Sequence, residues 1–162
     1  MKYFMLATGA VMMLGAAGHA QEEVTVANTY LAAYEAQDFA TLSTLYAPDA
    51  VFIDPTSFAV DQTPPIEWQT PETIISGIRG WNVASMTYEL DRRFAASDRN
   101  VFEGAVTVRY ALDTGERAWR YPIVTIITVE GGQVTEHRDY TDYAGMTEVT
   151  PARPANNQAA ND

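Results

Sequence analysis

Residues 24–55 read VTVANTYLAAYEAQDFATLSTLYAPDAVFIDP, and this stretch decides the fold. Its first part repeats apolar residues at helical spacing, which predicts an amphipathic helix over residues 22–37. Asp38 is a good N-cap for a second, short helix over residues 39–46. Residues 50–54 then alternate in polarity, as a strand does. The stretch therefore predicts two helices followed by a strand.

The remainder of the chain predicts a long loop, one more helix and several strands. The proline-bearing loop covers residues 55–70, and the helix that follows has Thr70-Pro71 at its start and Gly80 at its end. Short polar turns separate the predicted strands, which implies an antiparallel meander. The predicted strands cover residues 83–96, 101–112, 117–130 and 133–144.

Both faces of the strand at residues 123–129 are largely apolar. A strand of this kind is covered on both sides of its sheet. The helices would cover one side. We expect a second copy of the chain to cover the other, so the sequence predicts a homodimer through the outer face of the sheet.

The two ends of the chain differ from the middle in composition. Residues 1–20 combine Lys2, an apolar run and small residues before a cleavage point after Ala20, which is typical of a secretory signal peptide. A membrane anchor left in place is the alternative. Residues 147–162 are rich in Pro, Ala and Asn and predict a disordered tail. The folded domain would span residues 21–146, in the periplasm or outside the cell.

Charge and cysteine content exclude several classes of function. The chain carries a formal net charge of −11, and its single lysine, Lys2, lies in the predicted signal peptide. Such a surface repels nucleic acid and anionic membranes, so we expect neither as a partner. The absence of cysteine excludes disulfides, cysteine ligands and cysteine nucleophiles.

Helices followed by a long antiparallel sheet that curls around them form an α+β roll. With the residues quoted, the chain resembles the nuclear-transport-factor-2-like superfamily and, within it, SnoaL-like polyketide cyclase domains. The resemblance covers residues 23–146 and is carried by AQDFATLSTLYAPDAVFIDP and VEGGQVTEHRDYTDY. It implies a cone-shaped roll in which N-terminal helices pack on a curved, mostly antiparallel sheet. The fold alone does not fix a function, because it carries isomerases, cyclases, hydrolases and binding proteins.

Comparison with ketosteroid isomerases implies specific residues. Tyr30 falls on the tyrosine of that family's oxyanion hole, and Asp54-Pro55 falls on its catalytic base and the following proline. Val124 stands where the family has the second acid of the oxyanion hole. The resemblance therefore implies a proton-transfer site that lacks one member.

Comparison with limonene-1,2-epoxide hydrolases places Asp142 on one catalytic acid, but the other two positions are Ala105 and Thr107. That mechanism is therefore not implied. SnoaL-like cyclases use a single acid on the sheet, and this resemblance leaves Asp142 and Asp139 as alternatives.

The combined hypothesis is an apolar pocket for cofactor-free acid–base chemistry on a small hydrophobic carbonyl compound. Asp54 would be the base, Tyr30 the hydrogen-bond donor and Asp142 an auxiliary acid. The alternatives are a non-catalytic ligand-binding domain, and an interaction module whose cavity is filled by side chains. The predicted ligand-binding residues are Tyr34, Phe52, Trp68, Trp81, Trp119, Val124 and Tyr140.

His137 is the lone histidine after the predicted signal peptide. A zinc or transition-metal site needs further nitrogen or sulfur ligands, so the sequence implies no metal. It also contains no glycine-rich phosphate loop, so no nucleotide cofactor is expected.

Overall fold

In the computed structural model, which describes residues 11–113 and 115–149, three helices pack against a mixed sheet of seven strands. This architecture confirms the predicted α+β roll. The helices are α1 (Val11–Glu35), α2 (Phe39–Leu45) and α3 (Pro71–Gly80), with a 3-10 turn at Ser57–Val60. The strands are β1 (Tyr46–Asp54), β2 (Ile66–Gln69), β3 (Ser85–Ala96), β4 (Arg99–Leu112), β5 (Gly115–Glu130), β6 (Gln133–Thr141) and β7 (Thr147–Val149).

The sheet has the order β2-β1-β6-β5-β4-β3. Strands β3 to β6 pair antiparallel in chain order, as the short turns predict. β1 joins this meander by pairing parallel with β6. The stretch that decides the fold therefore places its strand between β2 and β6, beside the last strand of the meander.

Helix α1 begins at Val11 rather than near residue 22. Residues 18–22 of this helix are exposed, and from there onward Val26 is the first residue packed against the core. Residues 1–10 of the predicted signal peptide, which spans residues 1–20, lie outside the described residues, so the signal peptide stays a prediction. None of the helices in the described residues is long and apolar enough to cross a membrane.

The break between α1 and α2 follows the predicted chemistry. Gln37 has a positive φ of 54°, which ends the first helix. The carboxylate of Asp38 then caps α2 by accepting a hydrogen bond from the backbone N–H of Thr41 at 3.1 Å. β1 starts earlier than predicted, because Tyr46 already pairs with Val134 of β6.

The predicted long loop contains a short strand that the sequence did not indicate. β2 pairs antiparallel with β1, which places Trp68 opposite Phe52. Their rings stack with centroids 5.3 Å apart, and Gly77 of α3 lies directly against the indole of Trp68. The second half of the loop is therefore part of the folded sheet.

Residues 147–149 form β7 rather than the start of a disordered tail. β7 pairs with residues 118–120 of β5, and Glu148 forms an ion pair with Arg117 at 2.9 Å. The domain therefore extends past the predicted end at residue 146. The remainder of the predicted tail, residues 150–162, lies outside the described residues.

The two faces of β5 have different neighbours. Ile123, Ile127 and Val129 are buried on the face that looks toward the helices. Val124 and Ile126 alternate with them and are half-buried on the opposite face. The inner face, with its helices, encloses a cavity of about 370 Å³.

Candidate functional site

A cavity of about 370 Å³ opens between α1, the segment after β1 and the inner face of the sheet. Tyr34 reaches it from α1, and Val60 and Gln62 reach it from the segment after β1. Strands β3 to β6 supply most of the remaining wall. The volume falls in the range of roughly 300–1,000 Å³ that is usual for small-molecule pockets.

Asp139 on β6 presents a carboxylate to this cavity although its side chain is only 6% exposed. Oδ1 accepts hydrogen bonds from the Thr125 hydroxyl at 2.5 Å and from Nε2 of His137 at 3.0 Å. Oδ2 has no hydrogen-bond partner among the described residues. It is not a fully buried atom, because the only fully buried side-chain nitrogen or oxygen without a partner in these residues is Nδ2 of Asn100. Oδ2 of Asp139 therefore remains open to the cavity.

His137 lies behind Asp139 and links it to two buried tyrosines. Nδ1 of His137 is 2.7 Å from the hydroxyl of Tyr30, and that hydroxyl also bonds to the hydroxyl of Tyr46. The side chains of His137 and Tyr30 are fully buried. A continuous hydrogen-bonded chain thus runs from Tyr46 through Tyr30 and His137 to Asp139.

The carboxylate fixes one proton of this chain. Because a carboxylate only accepts, Nε2 of His137 carries a proton toward Asp139. When the imidazole is neutral, its Nδ1 accepts from Tyr30, which in turn accepts from Tyr46. Burial raises the pKa of both phenols, so they stay protonated. The chain therefore holds one oxygen of Asp139 in a fixed place.

Tyr34 lies one turn after Tyr30 on α1 and points into the cavity. Its hydroxyl has no hydrogen-bond partner among the described residues, and the oxygen is not fully buried. Burial raises the pKa of Tyr34 well above its usual value, and the neighbouring Tyr88 and Asp139 raise it further. Tyr34 therefore offers a neutral O–H donor to a bound molecule.

Asp54 ends β1 and also lines the cavity, and the residue is only 4% exposed. Oδ1 accepts from the backbone N–H of Thr56 at 2.9 Å and from the Thr56 hydroxyl. Oδ2 accepts from the hydroxyls of Tyr143 at 2.6 Å and Thr141 at 3.3 Å. A carboxylate has about four lone-pair positions, and these bonds occupy them. Asp54 therefore anchors the segment after β1 to the end of β6.

The family profile described as the SnoaL-like domain matches residues 27–137, more than half of the chain. The chain belongs to the SnoaL-like domain family. Comparison with curated proteins gave no match.

Solved structures similar to this SnoaL-like domain agree on the fold. A Shewanella putrefaciens protein classed by resemblance as a SnoaL-like polyketide cyclase is 22% identical, with a TM-score of 0.66 over 75% of this chain and 90% of its own. An epoxide hydrolase from M. tuberculosis of the limonene-epoxide-hydrolase-like type is 16% identical, with a TM-score of 0.62 over 76% of this chain and 85% of its own. A protein with a ketosteroid isomerase-like fold from Catenulispora acidiphila, solved with trimethylamine, is 17% identical, with a TM-score of 0.56 over 71% of this chain and 83% of its own.

The SnoaL-like domain brings three of the predicted residues to the cavity. Asp54, Tyr34 and Trp81 all line it. The predicted meeting of Asp54 with Tyr30 is not what the structure shows, because Tyr30 is sealed in the core behind His137. Asp142 lies in the exposed turn after β6, where it accepts from the backbone N–H of Gly145 at 2.9 Å. Neither Tyr30 nor Asp142 lines the cavity.

Three of the predicted aromatic residues pack elsewhere. Phe52 is fully buried and stacks on Trp68, which keeps both rings within the wall behind Trp81. Trp119 contacts Tyr110 at the end of the sheet, beneath the guanidinium of Arg117. Phe52, Trp68 and Trp119 therefore do not line the cavity.

Val124 and Tyr140 lie on the outer face of the SnoaL-like domain's sheet, directly opposite each other on β5 and β6. Val124 alternates with the inward residues Ile123 and Thr125, so it cannot reach the cavity. The isomerase alignment therefore compares an acid of the oxyanion hole with an outward position here. The inward polar residue beside it is Thr125, which donates to Asp139.

The residues around this cavity do not form a set of metal ligands. Within residues 11–113 and 115–149, no group of three or more His, Asp and Glu side chains could hold a metal ion. His137 already uses both nitrogens in hydrogen bonds.

Sequence reasoning left Asp139 as an alternative and did not assign His137 a role. Both residues have the same parity on β6, and both are buried on the inner face. An H-x-D pair on a strand whose opposite parity is polar was the available signal. Tyr46, the start of the buried chain, had no such signal, because its partner lies on a different element.

Proposed function

We propose that this cavity carries out cofactor-free acid–base catalysis on a small hydrophobic carbonyl compound, with Asp139 as the base. The observation that supports this proposal is the asymmetric carboxylate of Asp139. One oxygen is fixed by Thr125 and His137, and the other is open to the cavity. A base must be held in position and still reach the substrate, and Asp139 meets both conditions.

The proposed reaction transfers one proton. Oδ2 of Asp139 takes a proton from the carbon next to the carbonyl group, and the C–H electron pair forms the enolate double bond while the carbonyl oxygen becomes negative. The Tyr34 hydroxyl donates a hydrogen bond to that oxygen, as a fixed donor in a site away from bulk water. Asp139 then returns the proton to the same carbon or to a conjugated one, so the net reaction is exchange or isomerisation.

Asp54 has a different role in this proposal from the one predicted from the sequence. Its four acceptor positions are already occupied by Thr56, Thr141 and Tyr143. A carboxylate with no free lone pair is a poor base, because it must break a hydrogen bond first. Asp54 instead ties the segment after β1 to the end of β6 at the wall of the cavity.

The test is exchange of the protons next to the carbonyl in a panel of small cyclic ketones in heavy water, followed by NMR. We expect wild type to accelerate exchange and Asp139→Asn to lose roughly a hundredfold or more of that acceleration. Tyr34→Phe should lose about a hundredfold while binding survives. Asp49→Asn, which makes the same chemical change at an exposed position of β1, is the matched control. Equal exchange by wild type and Asp139→Asn would remove Asp139 from the chemistry.

A non-catalytic ligand-binding domain is the second candidate. It is favoured by the structural use of Tyr30 and Asp54, the two residues that the isomerase resemblance assigns to catalysis. A binding domain should hold the ketones with similar affinity in wild type and Tyr34→Phe and should exchange no protons. The same NMR samples therefore separate the two candidates.

We also propose that the protein is exported and that residues 1–20 are removed. The supporting observation is the charged start, apolar run and small residues before Gln21. Mass spectrometry of protein recovered from the periplasm or medium should show a chain that begins at Gln21. Recovery of the full-length chain from the cytoplasm alone would contradict export.

A further inference from the structure

The cavity contains two carboxylates and no positive side chain. Asp54 and Asp139 line it, and no Lys, Arg or His is among its lining residues within the described part of the chain. We propose that the cavity binds a small organic cation, whose positive charge pairs with Asp139 and whose apolar groups lie against aromatic rings. This inference rests on the proposed function in taking Asp139 as the group that faces the ligand, and one of its supports is the enolate of the proposed reaction.

Asp139 has unmet acceptor capacity. Its donors, Thr125 and His137, both contact Oδ1, and Oδ2 has no partner among the described residues. The side chain is more than nine-tenths buried, so little bulk water reaches it. A buried carboxylate needs an opposite charge or further donors. A ligand cation supplies what the lining residues do not.

The aromatic residues that line the cavity also favour a cation. Six of them are aromatic, and the face of an aromatic ring attracts a cation. Tyr34 and Tyr88 stay neutral because burial raises the pKa of each well above its usual value, so neither adds a phenolate. The aromatic lining residues are Tyr34, Trp81, Tyr88, Tyr110, Tyr121 and Tyr143.

The charge that develops in the proposed reaction also favours a positive ligand. The enolate is negative, and it would form in a cavity that already contains the charge of Asp54. Like charges in a site of low polarity repel strongly. A positive group on the substrate offsets that repulsion, so a cationic carbonyl compound suits this cavity better than a neutral one. An anionic substrate would meet two carboxylates and no counter-charge.

Three probes of nearly equal size test the charge preference. They are phenyltrimethylammonium, its neutral isostere tert-butylbenzene and the anion benzenesulfonate, each titrated into wild type by ligand-observed NMR. We expect the cation to bind about tenfold or more tighter than the neutral isostere, and the anion to bind weakest. Asp139→Asn should lower cation affinity about tenfold and leave tert-butylbenzene unchanged. Asp49→Asn should change neither.

Equal binding of the three probes by wild type overturns the proposal, and so does the absence of saturable binding by any of them. The comparison among probes uses wild type alone, so it stays decisive if Asp139→Asn fails to fold. The result is also separable from the proposed reaction. Cation preference without Asp139-dependent proton exchange would support the cation site and contradict the proposed catalysis. Proton exchange without charge preference would support the proposed catalysis and contradict the cation site.

Discussion

At the scale of single residues, two buried aspartates face one cavity with different hydrogen-bonding. Asp54 uses both oxygens to hold Thr56, Thr141 and Tyr143. Asp139 uses one oxygen and leaves the other open. The number of donors that the fold supplies, rather than the residue type, therefore separates an anchoring carboxylate from one that can react.

Replacing Thr125 by Val tests the hydrogen bond that fixes Asp139. Valine keeps the shape of threonine but removes the donor to Oδ1, so we expect a loss of about 1.5–3 kcal/mol in the free energy of unfolding. Urea denaturation at neutral pH measures it. Thr128→Val is the matched control, because Thr128 is also buried on β5 and its hydroxyl has no described hydrogen bond. Equal effects of the two substitutions would contradict the assigned role of Thr125.

The sequence could indicate some of these residues but not their connections. Asp54 and Tyr34 are predicted in the pocket and lie there, because local patterns place both on the inner face of their elements. Tyr30 has the same helical face as Tyr34, yet one turn separates a cavity position from the sealed core. That distinction depends on His137, which lies 107 residues further along the chain. The spacing of residues within one helix carries no information about a contact with such a distant residue.

At the scale of elements, α3 is held in place by the contact of Gly77 with Trp68 of β2. A Cβ added at Gly77 would lie 2.6 Å from three atoms of the Trp68 indole. That ring is held between Phe52 and Trp81, with centroids 5.3 and 5.6 Å away. The indole therefore cannot move without disturbing the wall that includes Trp81.

Gly77→Ala should lower the free energy of unfolding by about 1–3 kcal/mol, because the added methyl group overpacks this contact. Gly80→Ala is the control in the same helix, since nothing lies within 4 Å of its added Cβ. We expect that control to be neutral or stabilising by up to about 1 kcal/mol. Thermal and urea unfolding measure both variants. A neutral Gly77→Ala would show that the Trp68 contact does not constrain α3.

The longer elements follow from sequence patterns, and the shortest ones do not. Apart from α1, which begins at Val11 rather than near residue 22, the helices and the four meander strands lie close to their predicted ranges. Their patterns repeat over enough residues to be recognised. β2 spans four residues and β7 spans three, so neither is long enough to show a period. Both are set by pairing with distant strands, β1 and β5.

At the scale of the whole molecule, buried phenols couple stability to high pH. Burial raises the folded-state pKa of Tyr30, Tyr34 and Tyr88 well above the unfolded value of about 10. A raised folded-state pKa gives a contribution that is complete below the unfolded pKa and is lost as pH rises through the folded pKa. Stability should therefore decline above about pH 10, by up to about 1.4 kcal/mol per pH unit for each phenol.

Urea unfolding at a series of alkaline pH values measures that slope, and phenolate absorbance reports ionisation. We expect a group of tyrosines to ionise only together with the loss of circular dichroism. Complete ionisation of all tyrosines in a folded protein would contradict this prediction.

We propose that the outer face of the sheet forms a homodimer. Val124 and Ile126 are half-buried there, and Tyr140 is 42% exposed beside them. Light scattering at micromolar concentration should give the mass of a dimer for wild type and of a monomer for Tyr140→Glu. Phe58→Glu, at another exposed aromatic residue, should remain dimeric. A monomeric wild type would contradict the proposal.

The exposed residues 18–22 of α1 bear on maturation of the chain. They lie outside the packed core, and from residue 18 onward Val26 is the first residue to contact it. A peptidase that cut after Ala20 would cut the helix among these exposed residues. The new first turn would contain Glu22 and Glu23, whose negative charges favour the positive end of the helix dipole. Such trimming would leave a helix already suited to its new beginning, with no refolding required.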